Sequence, residues 1–477
     1  MTGVQTCALP IPAKTQRVYS NWTCRGSRIP GCDSAVTFGQ QYFAGRYLEE
    51  EFGKFFAEPV DKALAKYKRR VDGYLGPNDI GTKHIGDLHD LGYLPLNFAS
   101  LPEGTSVPLR VPMMTFENTI DEFFWLTNYM ESLMSCVLWM PITSATRARE
   151  IRKVLDAASE KTGAPAWFTD WQGHDFSFRG MAGVEAAQLS GAGHLLYFTG
   201  TDTIPALDLI EDYYGVPEGY LLGGSVAATE HSVMCAGGEE GERETFERLL
   251  DLYPTGILSV VSDTWDLWNV ITKTLPALKE KIMARAGKLV IRPDSGNPAD
   301  ILCGDPKAPP GSPAAAGVIE LLWQVFGGTY NEKGFKQLDE HIGCIYGDAI
   351  SKERAEEILG RLANRGFASS NIVFGVGSYT YQFNTRDTLG QAMKATSVEI
   401  DGVRKSIFKK PATDDGVKNS ARGRLAVAKS ESGLLYVIED ANRQQEEDSL
   451  IRPFWRDGKF LVRETFDVVR ARARAGQ

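Results

Sequence analysis

The sequence predicts an α/β protein in two parts: a parallel sheet or barrel, and a second, β-rich α+β domain. Three observations point there. From about residue 165, short apolar runs alternate with helix-length segments. Several of those runs end in Asp or in a glycine-rich turn. After residue 392 the pattern changes to paired strands joined by Asp-Gly turns.

Residues 1–11, MTGVQTCALPI, read as a foreign or disordered segment and carry no weight in the fold. The β-rich domain is expected from residues 12–147 together with 393–477. Residues 17–23 and 35–38 read as short strands among turn residues. Residues 46–74 form a charged amphipathic helical pattern, with Leu48, Phe52, Phe55 and Phe56 near helical spacing. Residues 94–97 and 108–116 read as strands. Residues 123–137 are an apolar helix followed by Pro141, and 148–158 continue in helical pattern.

Residues 148–392 are expected to hold the parallel sheet or barrel. Strand-like runs lie at 194–198, 258–261, 289–291, 342–346 and 372–374. Helical segments lie between them at 205–214, 242–252, 265–273, 315–326 and 352–364. This falls short of the eight strands of a closed barrel. Residues 166–169 and 220–222 are the weaker candidates for the rest. In the tail, 397–400 and 403–408 form a hairpin on Asp401-Gly402, 435–438 is a strand, and a second Asp-Gly turn separates 451–455 from 459–462.

A chain of 477 residues can bury a large core in two or three domains. Its net charge of −9 argues against nucleic acid as a partner but leaves room for a locally basic anion site. Seven scattered cysteines without a CxxC pair suit a reduced, cytoplasmic protein. No apolar run is long enough to span a bilayer, and the start has no signal-peptide pattern.

The chemistry concentrates at strand ends. Residues 289–298, LVIRPDSGNP, place Arg292 and Asp294 just beyond an apolar strand. Asp263, Asp348 and Asp202 follow other strands in the same way. Converging carboxylates suit a divalent cation with its phosphate ligand, or a developing positive charge. The alternative for Asp294 and Asp348 is helix capping. Gly375-Val376-Gly377-Ser378 follows the last apolar strand and frees backbone N–H groups for an anion. Arg386, Lys394, Lys409 and Lys418 lie nearby in sequence, either as phosphate ligands or as solvated charges. The run from His174 to Gly180, HDFSFRG, combines flat rings with a guanidinium, as either a stacking site or core aromatics. His231 stands alone in ATEHS. Metalloprotease, nucleophile-elbow, Walker and Rossmann signatures are absent.

These residues resemble the nicotinamide phosphoribosyltransferase family. The shared blocks include TQRVYSNWTCR, FENTIDEFFWLTNYMES, HDFSFRG, FTGTDTIPAL, ATEHS, SVVSDTWDLWNV, LVIRPDSGNP, IYGDAIS, NIVFGVGS, NTRDTLGQAMKA and SIFKKPATDDGVKNSARGRL, collinear over about residues 15–430. The resemblance implies a partial or irregular α/β barrel beside a β-rich domain, working as a homodimer with shared active sites. It implies transfer of phosphoribosyl from its diphosphate to nicotinamide, with Mg²⁺ on the diphosphate held by Asp294 and Asp348, and with ATP coupled through His231.

By the same resemblance Phe176 lies under the nicotinamide ring, Asp202 accepts from its carboxamide, and Arg292 donates to it. Asp263, Asp266 and Gly347 join the substrate contacts. Arg179, Gly377, Ser378 and Arg386 surround a phosphate, and Arg25, Lys409 and Lys418 reach the diphosphate or nucleotide. The chain departs from the family in having Gly377-Ser378-Tyr379 where the family has three glycines. It also lacks the upstream Asp-Ser-Tyr-Lys segment, whose Tyr stacks on the nicotinamide from the partner subunit. A nicotinate-type enzyme or a non-catalytic nucleotide-binding relative are the alternatives.

Overall fold

The structure is a computed structural model that describes residues 12, 14–347, 349–410, 413 and 419–476. The chain divides into two compact units. One comprises Met1–Thr146, Asp208–Tyr220 and Asn384–Gln477; the other comprises Arg147–Leu207 and Leu221–Phe383.

The second unit is built on a seven-stranded parallel sheet. Its order is Gly200–Thr201, Gly173–Asp175, Val373–Val376, Ile342–Tyr346, Leu289–Arg292, Leu258–Val261 and Ala227–Ala228. Every neighbouring pair is parallel. The interior strands Leu258–Val261 and Ile342–Tyr346 are buried along their whole length, as expected where helices cover both faces. The sheet curls until Gly200 bridges Gly224, three residues before the opposite edge strand at Ala227. The result is an irregular, incomplete barrel.

Helices fall close to their expected places at Glu242–Leu252, Val318–Phe326 and Lys352–Asn364. Three expected strands are corrected. His194–Phe198 is not a strand: His194 and Leu195 lie in the last turn of the helix Val184–Leu195, and the edge strand is Gly200–Thr201. An apolar run buried on every side has no face for periodicity to report. Residues 166–169 form helical turns after Pro165 rather than a strand. Residues 220–222 are irregular, and the strand lies at Ala227–Ala228.

The first unit carries a seven-stranded sheet ordered Val403–Ser406, Gln391–Ile400, Thr15–Cys24, Pro112–Asn118, Leu96–Ser100, Arg452–Arg456 and Lys459–Phe460. Its neighbours pair antiparallel. Both Asp-Gly turns are as read: Asp401 and Gly402 have φ of 53° and 74°, and Asp457 and Gly458 have 49° and 83°. Two successive positive φ values match the right-handed twist of the strands they join. The apolar helix before Pro141 is longer than expected. Glu131–Thr162 runs on through that proline as one 32-residue helix.

The six cysteines among the described residues are all free thiols. No helix among the described residues is long and apolar enough to cross a membrane.

Candidate active site

Because the barrel strands are parallel, their carboxyl ends share one end of the sheet, where α/β folds place chemistry. Asp175, Thr201, Val261, Arg292 and Val376 each end a strand there. The next few residues of each segment make the site.

The Phe176 ring lies on backbone that has no side chains. A Cβ on Gly375 would stand 2.6 Å from Phe176 Cδ2 and 2.8 Å from the Gly347 Cα. Phe176 N–H donates to the Val376 carbonyl at 3.0 Å, so the ring is fixed to the neighbouring strand. The Arg292 guanidinium stands 5.9 Å from the ring centroid. His174 packs against the same ring at 4.6 Å.

Asp202 is held by donors. Its backbone N–H donates to the Asp175 carbonyl at 3.0 Å. Its Oδ1 takes hydrogen bonds from His174 Nε2 at 2.9 Å and from Ser225 Oγ at 2.6 Å. Both fall on one oxygen, which leaves Oδ2 for another donor. Burial pushes the Asp202 carboxyl up, but the His174 and Ser225 hydrogen bonds and the charge of Arg292 outweigh it and hold the group below the usual carboxylate range. Burial pulls Arg292 below its ordinary value, while Asp294, Asp202 and Asp263 oppose that loss. Its Nε is buried without a hydrogen-bond partner.

Asp294 is not a helix cap. Asn297 does that work, accepting from the Ala299 and Asp300 amides at the start of Pro298–Cys303. The Asp294 carboxylate lies against Gly347, where a Cβ would stand 2.8 Å from its Oδ1. Asp263 holds this loop from below: its Oδ2 accepts from Asp294 N at 2.8 Å and Ser295 Oγ at 2.6 Å. The other Asp263 oxygen lies 3.5 Å from Nε2 of the half-exposed His231. Asp266 caps the short helix Leu267–Asn269, accepting from Trp268 N and Asn269 N. Both of these bonds fall on its Oδ1.

Gly377 precedes a single helical turn, Ser378–Tyr381. The Ser378 side chain occupies the space over Gly180, where any Cβ would collide with it. This joins the exposed Arg179 turn to the glycine-rich loop. Asp348 and Lys418 lie outside the described residues.

In the other unit Arg25, Arg386, Lys394 and Lys409 form a basic group. Burial lowers the Lys394 ammonium below its ordinary value; Glu131, 3.7 Å away, opposes this, and Arg25, Arg386 and Lys409 add to it. Arg25 Nε donates to the Gly390 carbonyl at 3.1 Å.

The barrel unit thus brings together Phe176, Asp202, His231, Asp263, Arg292, Asp294, Gly347, Gly377 and Ser378. Sequence reasoning missed His174 and Ser225. His174 stood in the quoted HDFSFRG block, but no spacing linked it to Asp202, 28 residues on. Nothing local marks Ser225.

The nicotinate phosphoribosyltransferase family model matches residues 171–456. The chain belongs to the nicotinate phosphoribosyltransferase family. Two curated relatives are named nicotinamide phosphoribosyltransferase. The one from Acinetobacter baylyi is 47% identical over 474 residues, covering 97% of this chain and 93% of the relative. The one from Mycoplasma pneumoniae is 37% identical over 436 residues, covering 87% and 92%. Among solved structures, nicotinate-nucleotide pyrophosphorylase from Pyrococcus furiosus shares the fold with a TM-score of 0.57 at 15% identity, over 97% of this chain and 89% of that one. Membership makes the chain an enzyme of phosphoribosyl transfer, on the incomplete barrel that its strand order displays.

Proposed function

We propose that this enzyme condenses nicotinamide with 5-phosphoribosyl 1-diphosphate, giving nicotinamide mononucleotide and diphosphate, the first step of NAD salvage from nicotinamide. The observation that carries it is the pairing of a donor and an acceptor beside one ring. Arg292 stands 5.9 Å from the Phe176 centroid, and Asp202 bonds to His174, which packs on the same ring; the two would match the oxygen and the NH₂ of a carboxamide stacked there. A carboxylate base would meet the Asp202 charge instead. The names of the relatives favour the same substrate.

Asp294 lies where it can stabilise positive charge growing on the ribose as diphosphate leaves. The pyridine nitrogen attacks as a neutral base and needs only orientation, which Phe176, Asp202 and Arg292 supply. No proton has to be removed from it, so the site needs no general base. Gly377, Ser378 and Arg179 offer backbone N–H, hydroxyl and guanidinium donors to a phosphate; in the other unit the family resemblance assigns anion binding to Arg25, Arg386, Lys409 and Lys418.

A Mg²⁺ carried on the diphosphate needs one or two protein carboxylates. Asp294 and Asp348 would hold it, and when bound it neutralises the leaving group. His231 is half-exposed, with Nε2 3.5 Å from Asp263, and would accept a phosphoryl group from ATP on its exposed ring. We place the enzyme in the cytoplasm as a homodimer with shared active sites.

The test is diphosphate release from phosphoribosyl diphosphate and Mg²⁺, with nicotinamide or nicotinate as the base. Release with nicotinamide well above that with nicotinate is expected. Release with nicotinate alone would assign the other base, and none with either would remove the activity.

A further inference from the structure

Behind the substrate residues lies a buried pair that the reaction itself does not use. His194, near the end of Val184–Leu195, and Tyr381, at the end of Ser378–Tyr381, are both fully buried. His194 Nδ1 and Tyr381 Oη are 2.6 Å apart. On its other side His194 Nε2 lies 3.0 Å from the Gly200 carbonyl. Phe198 stacks on the imidazole at 4.9 Å and holds its plane.

The hydrogens follow from the acceptors. The Gly200 carbonyl can only accept, so Nε2 carries the ring hydrogen. Nδ1 then holds a lone pair, and the Tyr381 hydroxyl donates to it. Burial pushes His194 down to about 4, which keeps the ring neutral, and raises the Tyr381 phenol far above its ordinary value, with the Asp175 charge adding to the rise.

Each bond ends on a segment that carries a substrate group. Gly200 lies two residues before Asp202. Tyr381 closes the turn that begins with Ser378, whose Gln382 amide donates to the Ser378 carbonyl at 2.7 Å. We infer that His194 and Tyr381 are positioning residues, one neutral imidazole fixing the Asp202 loop through Nε2 and the Ser378 turn through Nδ1. The inference rests on the reading above, in which Asp202 faces the base and Ser378 faces a phosphate.

Substitution can cut the two bonds separately. Tyr381→Phe removes the donor to Nδ1 and keeps the bond to Gly200. His194→Gln places an amide near the old Nε2 and loses the Tyr381 bond. His194→Asn places its amide near the old Nδ1 and loses Gly200. Tyr381→Phe and His194→Gln should raise KM for phosphoribosyl diphosphate about fivefold, the worth of one buried hydrogen bond, with nicotinamide KM little moved. His194→Asn should do the reverse.

Hydrogen exchange read by mass spectrometry gives a second measure that needs no turnover. Tyr381→Phe should speed exchange of peptide 376–383 and spare 199–204, and His194→Asn should do the opposite. If all three variants lower Tm but leave both KM values and both exchange patterns alike, the pair is packing alone and the inference fails. If the wild type releases no diphosphate while the exchange split appears, the positioning stands and the proposed substrates fall.

Discussion

Asp202→Asn isolates the group that selects the base. In the native site Oδ1 is taken by His174 and Ser225, leaving Oδ2 to accept from the carboxamide. An Asn can keep its oxygen on His174 and Ser225, so the loop should hold its place. Its NH₂ then stands where Oδ2 stood, donor facing donor. Flipping the nicotinamide carboxamide relieves that clash but turns its NH₂ toward the Arg292 guanidinium, which also only donates. Nicotinamide therefore loses a hydrogen bond in either orientation, a cost of about 1–3 kcal/mol.

Nicotinate gains from the same change, because a like charge disappears and Arg292 remains. The Asp202 side chain is 44% exposed, so water screens part of that gain. We expect the nicotinamide-to-nicotinate ratio of kcat/KM to fall about 10- to 100-fold. The assay is diphosphate release by purified wild type and variant with each base, with Tm as the control for folding. A ratio within twofold of wild type, at unchanged Tm, would refute the role of Asp202 in base selection.

Three further outcomes are expected. Gly375→Ala would put a methyl 2.6 Å from the Phe176 ring, so kcat/KM for nicotinamide should fall about 100-fold with the protein still folded; normal kinetics would show that the ring is free to move. His231→Gln should abolish any ATP-dependent change in nicotinamide KM, and a response to ATP that survives would exclude this histidine as the phosphoryl acceptor. Glu103 is buried, which raises its carboxyl to about 7 against the pull of the Gln41 and Gly39 amides and the Tyr214 hydroxyl. The folded state thus holds this proton more tightly than the unfolded state, so its contribution is present below about pH 4.5 and lost as pH rises toward 7. Wild-type Tm should decline over that window and Glu103→Gln should flatten the decline; parallel curves would assign it to other groups, Glu242 first.

Much of the fold was legible because local rules agreed with the tertiary result. Asp401-Gly402 and Asp457-Gly458 needed only their own turn chemistry to mark hairpins, and 352–364 needed only helical periodicity. The reading failed where burial erased the pattern, as at 194–198, and where a strand was too short to carry one, as at Gly173–Asp175 and Ala227–Ala228. For Asp294 the ambiguity between cap and ligand was genuine in one dimension. It ends with Asn297, whose side chain takes the capping hydrogen bonds instead.

The sequence by itself determined which residue types stand at the ends of apolar strands, and through its shared blocks the family that uses them. Strand propensity, turn chemistry and charge act over a few neighbouring residues, so they can be read from the chain in order. Only the tertiary structure decided that His174 and Ser225 share one oxygen of Asp202, that Asp263 holds the Asp294 loop, and that His194 ties Gly200 to Tyr381. Those pairings join residues up to 187 positions apart, brought together by the curl of a parallel sheet, and no local interaction encodes them.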